Sequence, residues 1–212
     1  MSLYTKRLWL KAGGYQTVLP WGMEDYDLWL RFLRLGVKAK KLEGKLVRSK
    51  YRFKSNSMMR VMLKHEATRP MLLTMHTDLL SLDAVLRGHG AVMNMDNETR
   101  KVIARFEGDP RRRNDPMFGY LRLWAGLAAE GAGEKDAARA SYEAVLEERA
   151  PENGAMAVQI DGLRWQAKWR LGLLECDEEA LELVVGAVPG LGVNRGAAEL
   201  IDACSRNESL GT

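Results

Sequence analysis

The sequence predicts an α+β chain that is mainly α, with a small mixed segment followed by a long helical region. Residues 1–60 combine helix patterns with short β-type runs, whereas apolar residues recur at helical spacing from about residue 59 onward. Beyond residue 117 the helix patterns come in pairs separated by short turns, which is typical of helical repeats. The predicted fold class follows from this change along the chain.

The mixed segment contains both types of regular element. Its predicted helices and strands cover residues 4–12, 24–35, 37–42 and 45–48. Gly13 and Gly14 should end the first helix, and Gly36 is placed to end the second. The second helix is apolar on most of its surface, which indicates that most of it is buried.

The rest of the chain is predicted to be a helical connector, a linker, a repeat-like region and a tail, over residues 61–107, 108–116, 117–190 and 191–212. In the connector, apolar residues from Leu72 to Leu86 recur at spacings of three and four. They predict one helix, which the glycines of the segment 88–90 should break.

The repeat-like region resembles tetratricopeptide units. Two helix pairs are predicted, over 117–130 with 134–149 and over 155–174 with 177–187. The small and aromatic residues that carry the likeness in the first pair are Gly126, Ala138 and Tyr142. A unit of this kind buries its apolar face only by stacking on a neighbour, so a protein partner for this region is one expectation.

Charge is distributed unevenly along the chain. Residues 31–64 contain twelve Lys or Arg and one acid, whereas residues 130–212 contain eight Lys or Arg and sixteen acids. The first stretch should attract phosphates, anionic lipid headgroups or nucleic acid. A solvated face of the predicted strand pair explains the same composition equally well.

Several classes of protein are disfavoured by the sequence. No apolar run is long enough to predict a transmembrane helix, and the N-terminal residues lack the apolar run of a signal peptide. Cys176 and Cys204 are far apart and are typical of reduced residues in a cytosolic protein. The three histidines have no suitably spaced carboxylate or cysteine, so no metal site is predicted.

The most informative stretch is the start of the second helix, where Glu24, Asp25 and Asp27 follow a loop rich in glycine and aromatic residues. Carboxylates at a helix N-terminus are stabilised by the unpaired N–H groups there, so these acids can be simple first-turn residues. They can equally be an acid/base site. Adjacent Glu24 and Asp25 point about 100° apart, so one can face a pocket while the scaffold holds the other.

These residues, with others on either side, carry a family resemblance. Gly13-Gly14-Tyr15, then Trp21-Gly22-Met23-Glu24-Asp25-Tyr26-Asp27-Leu28-Trp29-Leu30-Arg31, then Gly36, Tyr51-Arg52 and Ser55-Asn56-Ser57-Met58 occur in this order. The pattern resembles the C-terminal third of a family 2 glycosyltransferase catalytic domain, which has the GT-A fold. The likeness covers residues 4–60 and implies that the segment 1–60 is a small piece of a GT-A-like α/β domain.

The resemblance implies roles for individual residues. In such enzymes a carboxylate of the Glu-Asp pair takes the proton from the acceptor hydroxyl; Asp25 is the expected base, and Glu24 would hold the acceptor or substitute for it. The expected substrate contacts are Gly14, Tyr15, Trp21, Gly22, Arg52 and Lys54. Tyr15 and Trp21 would offer ring faces to a sugar, although ordinary loop packing explains both, and Arg52 and Lys54 would face the donor diphosphate.

The chain also departs from the family pattern. The nucleotide-binding half and its Asp-x-Asp motif, which precede this segment in the family, are absent from the sequence. Phe53 and Lys54 stand where many members have a histidine. We therefore expect a fragment or truncated relative that is inactive alone, with a divalent cation, Mn or Mg, in the complete enzyme but none bound by this chain.

The sequence thus leads to two functional expectations. The first is glycosyl transfer from a nucleotide sugar to a saccharide or other hydroxyl acceptor, with this chain supplying the acceptor side of the site. The second is a non-catalytic helical interaction protein with a basic surface that faces anions or a membrane. The expected location is the cytoplasm, and peripheral contact with the inner face of the membrane is a further expectation. No nucleic acid is expected as a partner.

Overall fold

The computed structural model describes residues 3–41, 54, 68–149 and 154–175, without the side chain of residue 155. The α-helices of this part are α1 (Lys6–Lys11), α2 (Glu24–Arg34), α3 (Thr68–Thr74), α4 (Leu82–Met93), α5 (Asn97–Glu107), α6 (Gly119–Gly131), α7 (Lys135–Leu146) and α8 (Gly154–Glu175). A short 3-10 helix, Pro110–Arg112, lies between α5 and α6. Within the described ranges every regular element is helical, so the prediction of a mainly α chain is confirmed.

The two N-terminal helices form at the predicted places. Thr5 caps α1 by accepting a hydrogen bond from the Leu8 N–H at 3.2 Å. The inner face of α1 packs on α2 in a small core of Ala12, Leu28 and Phe32. Gly36 follows α2 in the left-handed conformation, as predicted for the residue that ends the helix.

The loop between α1 and α2 packs into the helical region. Gly13 and Gly14 both have positive φ, at 82° and 71°, which makes the tight turn after α1. A Cβ added at Gly13 would lie 2.1 Å from the sulfur of Met156, so it is α8 that approaches this backbone closely. Val18 and Leu19 then enter the large core that the later helices build.

The predicted strand over 37–42 is not found in its described part. Residues 37–41 adopt no regular structure, while residue 42 and the predicted strand 45–48 lie outside the described ranges. Within this segment Val37 contacts the small core, and residues 38–41 are exposed. A stable strand needs a neighbour and a buried face, and Val37 is the only residue of the segment 37–41 that is even partly buried.

The connector is divided differently from the prediction. The apolar stripe from Leu72 to Leu86 is two helices, α3 and α4, because the chain turns at residues 75–81 and Ser81 caps a new helix through the Ala84 N–H. Helix α4 also continues through residues 88–90. Gly88 lets α3 and α4 pack closely, since a Cβ there would lie 2.9 Å from the Pro70 carbonyl oxygen.

The first pair of the repeat-like region forms as predicted, and α7 packs along α6. Gly126 faces the ring of Tyr142, where an added Cβ would lie 2.5 Å from the ring carbon Cε1. Ala138 is fully buried, so the small residues that suggested a repeat unit do mediate close helix packing. Helix α8 follows, and the predicted partner helix over 177–187 lies outside the described residues.

The predicted linker, 108–116, is docked on the N-terminal loop. The Asp115 carboxylate accepts hydrogen bonds from the Thr17 N–H at 2.9 Å and the Thr17 hydroxyl at 2.6 Å, and Arg112 donates to the Thr17 carbonyl oxygen. The N-terminal segment and the later helices therefore share one core and several polar contacts. Among the described residues, no helix is both long and apolar enough to cross a membrane.

Candidate functional site

Glu24 and Asp25 occupy the first two positions of α2 and are both partly exposed. Met23, which precedes them, has a positive φ of 72° and provides no side-chain cap. One carboxylate oxygen of Asp25, Oδ1, accepts a hydrogen bond from the Tyr26 N–H at 2.9 Å. The pair is thus fixed at a helix N-terminus and open to solvent, and this geometry suits both interpretations made from the sequence.

Tyr15 precedes these acids in the loop between α1 and α2. Its ring is 45% exposed, and its hydroxyl is hydrogen-bonded to that of Tyr4. This hydrogen bond, with burial and the negative charges of Asp25 and Glu24, raises the pKa of Tyr15 to about 12. The charge of the two carboxylates therefore influences the phenol, while the ring itself stays partly exposed.

The other predicted substrate contacts are placed differently. Trp21 is only 7% exposed and belongs to the large core, so little of its ring is available to a sugar. Gly14 is buried beneath the Trp9 ring. Gly22 is partly exposed and stays in the turn beside the acid pair. Lys54 is exposed, whereas Arg52 lies outside the described residues.

Asp27, the third acid of the cluster, is fully buried. Its Oδ2 accepts a hydrogen bond from Nε of Arg31 at 3.1 Å, and Arg31 also donates to the Ala12 carbonyl oxygen. Its Oδ1 accepts from Nε2 of His76 at 3.0 Å and from Nε2 of Gln159 at 3.3 Å. The Asp27–Arg31 pair thus joins α2 to the end of α1, to the loop after α3 and to α8.

The protonation states in this network follow from its partners. Burial alone raises the pKa of Asp27, but the His76 hydrogen bond and the Arg31 charge outweigh burial and hold the pKa below its ordinary value. Burial lowers the pKa of His76 despite the Asp27 hydrogen bond. His76 is therefore neutral, with the proton on Nε2, and its Nδ1 accepts from Arg34 at 3.3 Å.

Arg34 and Asp78 extend the network to the surface. Nε of Arg34 donates to Asp78 Oδ2 at 2.6 Å, and its NH2 group donates to Oδ1 at 2.5 Å, which makes a bidentate pair. On the inner side, Gln159 donates to the Met75 carbonyl oxygen at 3.0 Å. These contacts fix both ends of α2 relative to the later helices.

The acids of α2 do not fit a divalent cation. Both oxygens of Asp27 are occupied by hydrogen bonds from cationic or polar side chains, which leaves only Glu24 and Asp25 available. In the part of the chain that the structure describes, no three His, Cys, Asp or Glu side chains cluster as metal ligands. The acids of α2 thus offer two carboxylates and no complete set of metal ligands.

Comparison with known proteins supplies no relative, since no family model, curated protein or solved structure matches the chain. Support for the candidate site therefore comes from the geometry of its own residues. Sequence reasoning missed His76 and Gln159, which hold Asp27 from 49 and 132 residues away. The one local signal for Asp27 was Arg31 four residues later on the same helix face.

Proposed function

We propose that this chain supplies the acceptor side of a glycosyltransferase site, with Asp25 as the base and Glu24 holding the acceptor. In the proposed reaction an acceptor hydroxyl oxygen forms a bond to the anomeric carbon of a nucleotide sugar. The bond from that carbon to the diphosphate oxygen breaks, and the hydroxyl proton passes to the Asp25 carboxylate. The acceptor would be a saccharide or another molecule with a free hydroxyl.

The observation that carries the proposal is the contrast between the acids of α2. Asp27 is buried and accepts four hydrogen bonds from Arg31, His76 and Gln159, so its role is structural. Glu24 and Asp25 are left partly exposed at the start of the helix thus anchored, and their charge influences the exposed Tyr15 ring. Carboxylates at the start of an anchored helix, with an exposed aromatic ring in the preceding loop, suit acceptor binding and proton removal.

The proposal assigns only part of a complete site to this chain. The nucleotide and its divalent cation would be held by other parts of a complete enzyme, and the chain alone would be inactive. Lys54 and Arg52 are the proposed diphosphate contacts on this chain.

The proposal is tested on the full reading frame that contains this chain, including any coding sequence upstream of Met1. Transfer from uridine and guanosine diphosphate sugars to a panel of saccharides is measured for the unaltered protein and for Asp25→Asn. Removal of a general base should reduce the transfer rate by roughly 10²–10⁴-fold. The thermal unfolding midpoint should stay unchanged, because Asp25 makes only a local hydrogen bond.

Asp136→Asn is the matched control, because Asp136 is also the second residue of its helix, α7, and is fully exposed. It should leave transfer unaltered. Substantial residual transfer by Asp25→Asn, in a protein that transfers sugar before the substitution, would exclude Asp25 as the base. Equal losses in both variants would instead indicate a nonspecific effect of removing a helix-end charge.

A second candidate function is a non-catalytic helical interaction protein. It is favoured by the burial of Val18, Leu19 and Trp21 in the core of the helical region, which makes the N-terminal segment an integral part of that region. Saccharide binding by this chain separates the two candidates. If titration calorimetry detects saccharide binding that Glu24→Gln weakens, the acceptor-site proposal is supported; if no saccharide binds, the interaction protein is favoured.

A further inference from the structure

Two exposed tyrosines are joined through their hydroxyls beside the N-terminal helices. Tyr4 precedes α1 and Tyr15 follows it, and the two residues are 36% and 45% exposed. The hydroxyl of Tyr4 is hydrogen-bonded to the hydroxyl of Tyr15, so the two phenols lie together although eleven positions separate them in the sequence. These two residues, the tyrosine pair, thus form one exposed surface from two segments of the chain.

The N-terminal helices hold both rings of the tyrosine pair. The Tyr4 ring makes a T-shaped contact with the Phe32 ring of α2, with the ring centroids 5.3 Å apart. The Tyr15 ring makes a T-shaped contact with the Trp9 ring of α1, with the centroids 6.3 Å apart. Phe32 is buried in the small core, so Tyr4 is anchored at a fixed point of α2. Rings that are fixed and still exposed lose little conformational entropy when a ligand covers them.

The tyrosine pair is connected to the acids of the candidate site. Asp25 and Phe32 are seven positions apart on α2, so they project from the same face of the helix and are about 10 Å apart along its axis. Tyr4 contacts this face at its Phe32 end. The Tyr15 phenol is hydrogen-bonded to Tyr4 and is also influenced by the charge of Asp25 and Glu24. The surface therefore runs from the acid pair toward Tyr4.

The composition of this surface matches one class of ligand. Aromatic faces pack against the apolar C–H faces of a sugar ring, while phenol hydroxyls and carboxylates exchange hydrogen bonds with its hydroxyl groups. The negative charge of Glu24 and Asp25 disfavours an anionic ligand beside them. A wholly apolar ligand would cover the carboxylates and phenol hydroxyls without replacing their hydrogen bonds to water. A neutral saccharide satisfies both kinds of group.

We propose that the tyrosine pair binds an oligosaccharide acceptor. The sugar ring that carries the reacting hydroxyl lies at Asp25 and Tyr15, and the next ring lies on Tyr4. The length of α2 between Asp25 and Phe32 exceeds that of a single sugar ring, so a monosaccharide covers one end of the surface and a longer saccharide covers both. This assignment rests on the proposed function for the position of the reacting hydroxyl, and it narrows the acceptor from any hydroxyl compound to an oligosaccharide.

The test is an NMR titration of the full chain, without a sugar donor, with cello-, chito- and galacto-oligosaccharides of one to four rings. In at least one series the affinity should rise from the monosaccharide to the trisaccharide. Tyr4→Leu should weaken trisaccharide binding roughly tenfold and leave monosaccharide binding unaltered, whereas Tyr15→Leu should weaken both. Tyr4→Phe keeps the aromatic ring, so it should retain most of the affinity that the added rings provide.

Tyr26→Leu is the matched control. Tyr26 is 50% exposed and its ring is also paired, with the Trp29 ring at a centroid distance of 4.9 Å. Because Tyr26 follows Asp25 directly on α2, it projects about 100° away from the face that Asp25 shares with Phe32. The variant should bind every saccharide as the unaltered chain does. Circular dichroism of each variant checks that the fold is retained.

Three outcomes would overturn the proposal. The first is that no oligosaccharide binds to the unaltered chain, and the second is equal affinity for one ring and for three. The third is trisaccharide binding that Tyr4→Leu leaves unaltered or that Tyr26→Leu weakens equally.

Failure of the proposed transfer would be seen separately, because binding is measured without a donor and does not depend on a base. If trisaccharides bind through the tyrosine pair but the full reading frame transfers no sugar to them, the transfer is excluded and the oligosaccharide surface stands. If the full reading frame transfers sugar to monosaccharides and trisaccharides with equal KM, the transfer stands and the oligosaccharide surface is excluded.

Discussion

Replacing Asp27 by Asn should destabilise the protein strongly, because the Asp27 side chain is fully buried beside a buried cation. Asp27 and Arg31 are both 0% exposed, and the carboxylate balances the guanidinium charge. Asparagine keeps the size of the side chain and can still accept from His76. It leaves Arg31 as a buried charge with only the Ala12 carbonyl oxygen and neutral groups around it.

The structure sets the scale of this effect. Removing one partner of a buried ion pair costs about 3–5 kcal/mol, because the other charge stays in a medium of low polarity. The retained hydrogen bond to His76 favours the lower end, so we expect a loss of about 3 kcal/mol in the free energy of unfolding. For a protein of this size that loss lowers the melting temperature by about 6–12 °C.

The chain offers a matched control in Asp83→Asn. Asp83 and Arg87 are also an i,i+4 pair in the first turn of a helix, but their side chains are 66% and 65% exposed. Exposed pairs of this kind contribute about 0.3–0.5 kcal/mol, so the melting temperature should fall by about 1–2 °C. Both variants are compared by urea unfolding and by scanning calorimetry.

The double variant D27N/R31M tests the cause of the loss. If the orphaned guanidinium is responsible, removing it should make the double variant more stable than the sum of the two single effects by at least about 1 kcal/mol. A D27N variant that unfolds like D83N would refute the reasoning. So would strict additivity, because it would show that Asp27 and Arg31 do not depend on each other.

Two further predictions concern buried groups. Burial and the charge of Arg170 lower the pKa of His89 from 6.5 to about 3. As the pH falls, the unfolded chain therefore protonates His89 before the folded chain does. The free energy of unfolding should be highest above pH 6.5 and should fall by about 2 kcal/mol between pH 6.5 and 5, as measured by urea titration. Equal stability at both pH values would contradict this. Gly126→Ala should cost about 1–3 kcal/mol because the Cβ meets Tyr142, whereas Gly90→Ala, with open space around it, should be neutral or stabilising by up to about 1 kcal/mol. Similar melting temperatures for the two alanine variants would contradict the packing argument.

The helices that could be predicted from the sequence are those with signals in their own residues. Helix α2 has apolar residues at helical spacing and a closing glycine, and α6 with α7 has small residues facing an aromatic ring. The prediction that most of α2 is buried was wrong, since Leu33 is 59% exposed and Tyr26 is 50% exposed. The boundary between α3 and α4 was missed because the apolar stripe from Leu72 to Leu86 continues through the turn. Ser81, whose hydroxyl caps α4, was the local signal that could have located it.

The environment of each acid could not be predicted in the same way. Glu24, Asp25 and Asp27 are similar carboxylates within four positions, and helix geometry alone says only that they point in different directions. Which of them is buried depends on His76 and Gln159, since these are the groups that satisfy its oxygens. Contacts across 49 and 132 residues leave no pattern in a single sequence.

The same contacts decide what the N-terminal segment needs in order to fold. Without His76 and Gln159, Asp27 would keep only Arg31 as a partner, and a buried carboxylate with unsatisfied oxygens is costly. Trp21 would also lose the core in which it is buried. The acid pair of Glu24 and Asp25 therefore owes its fixed position to helices that lie far along the chain. A site proposed on residues 1–60 thus requires the helical region as its scaffold, whichever reaction or partner the exposed carboxylates serve.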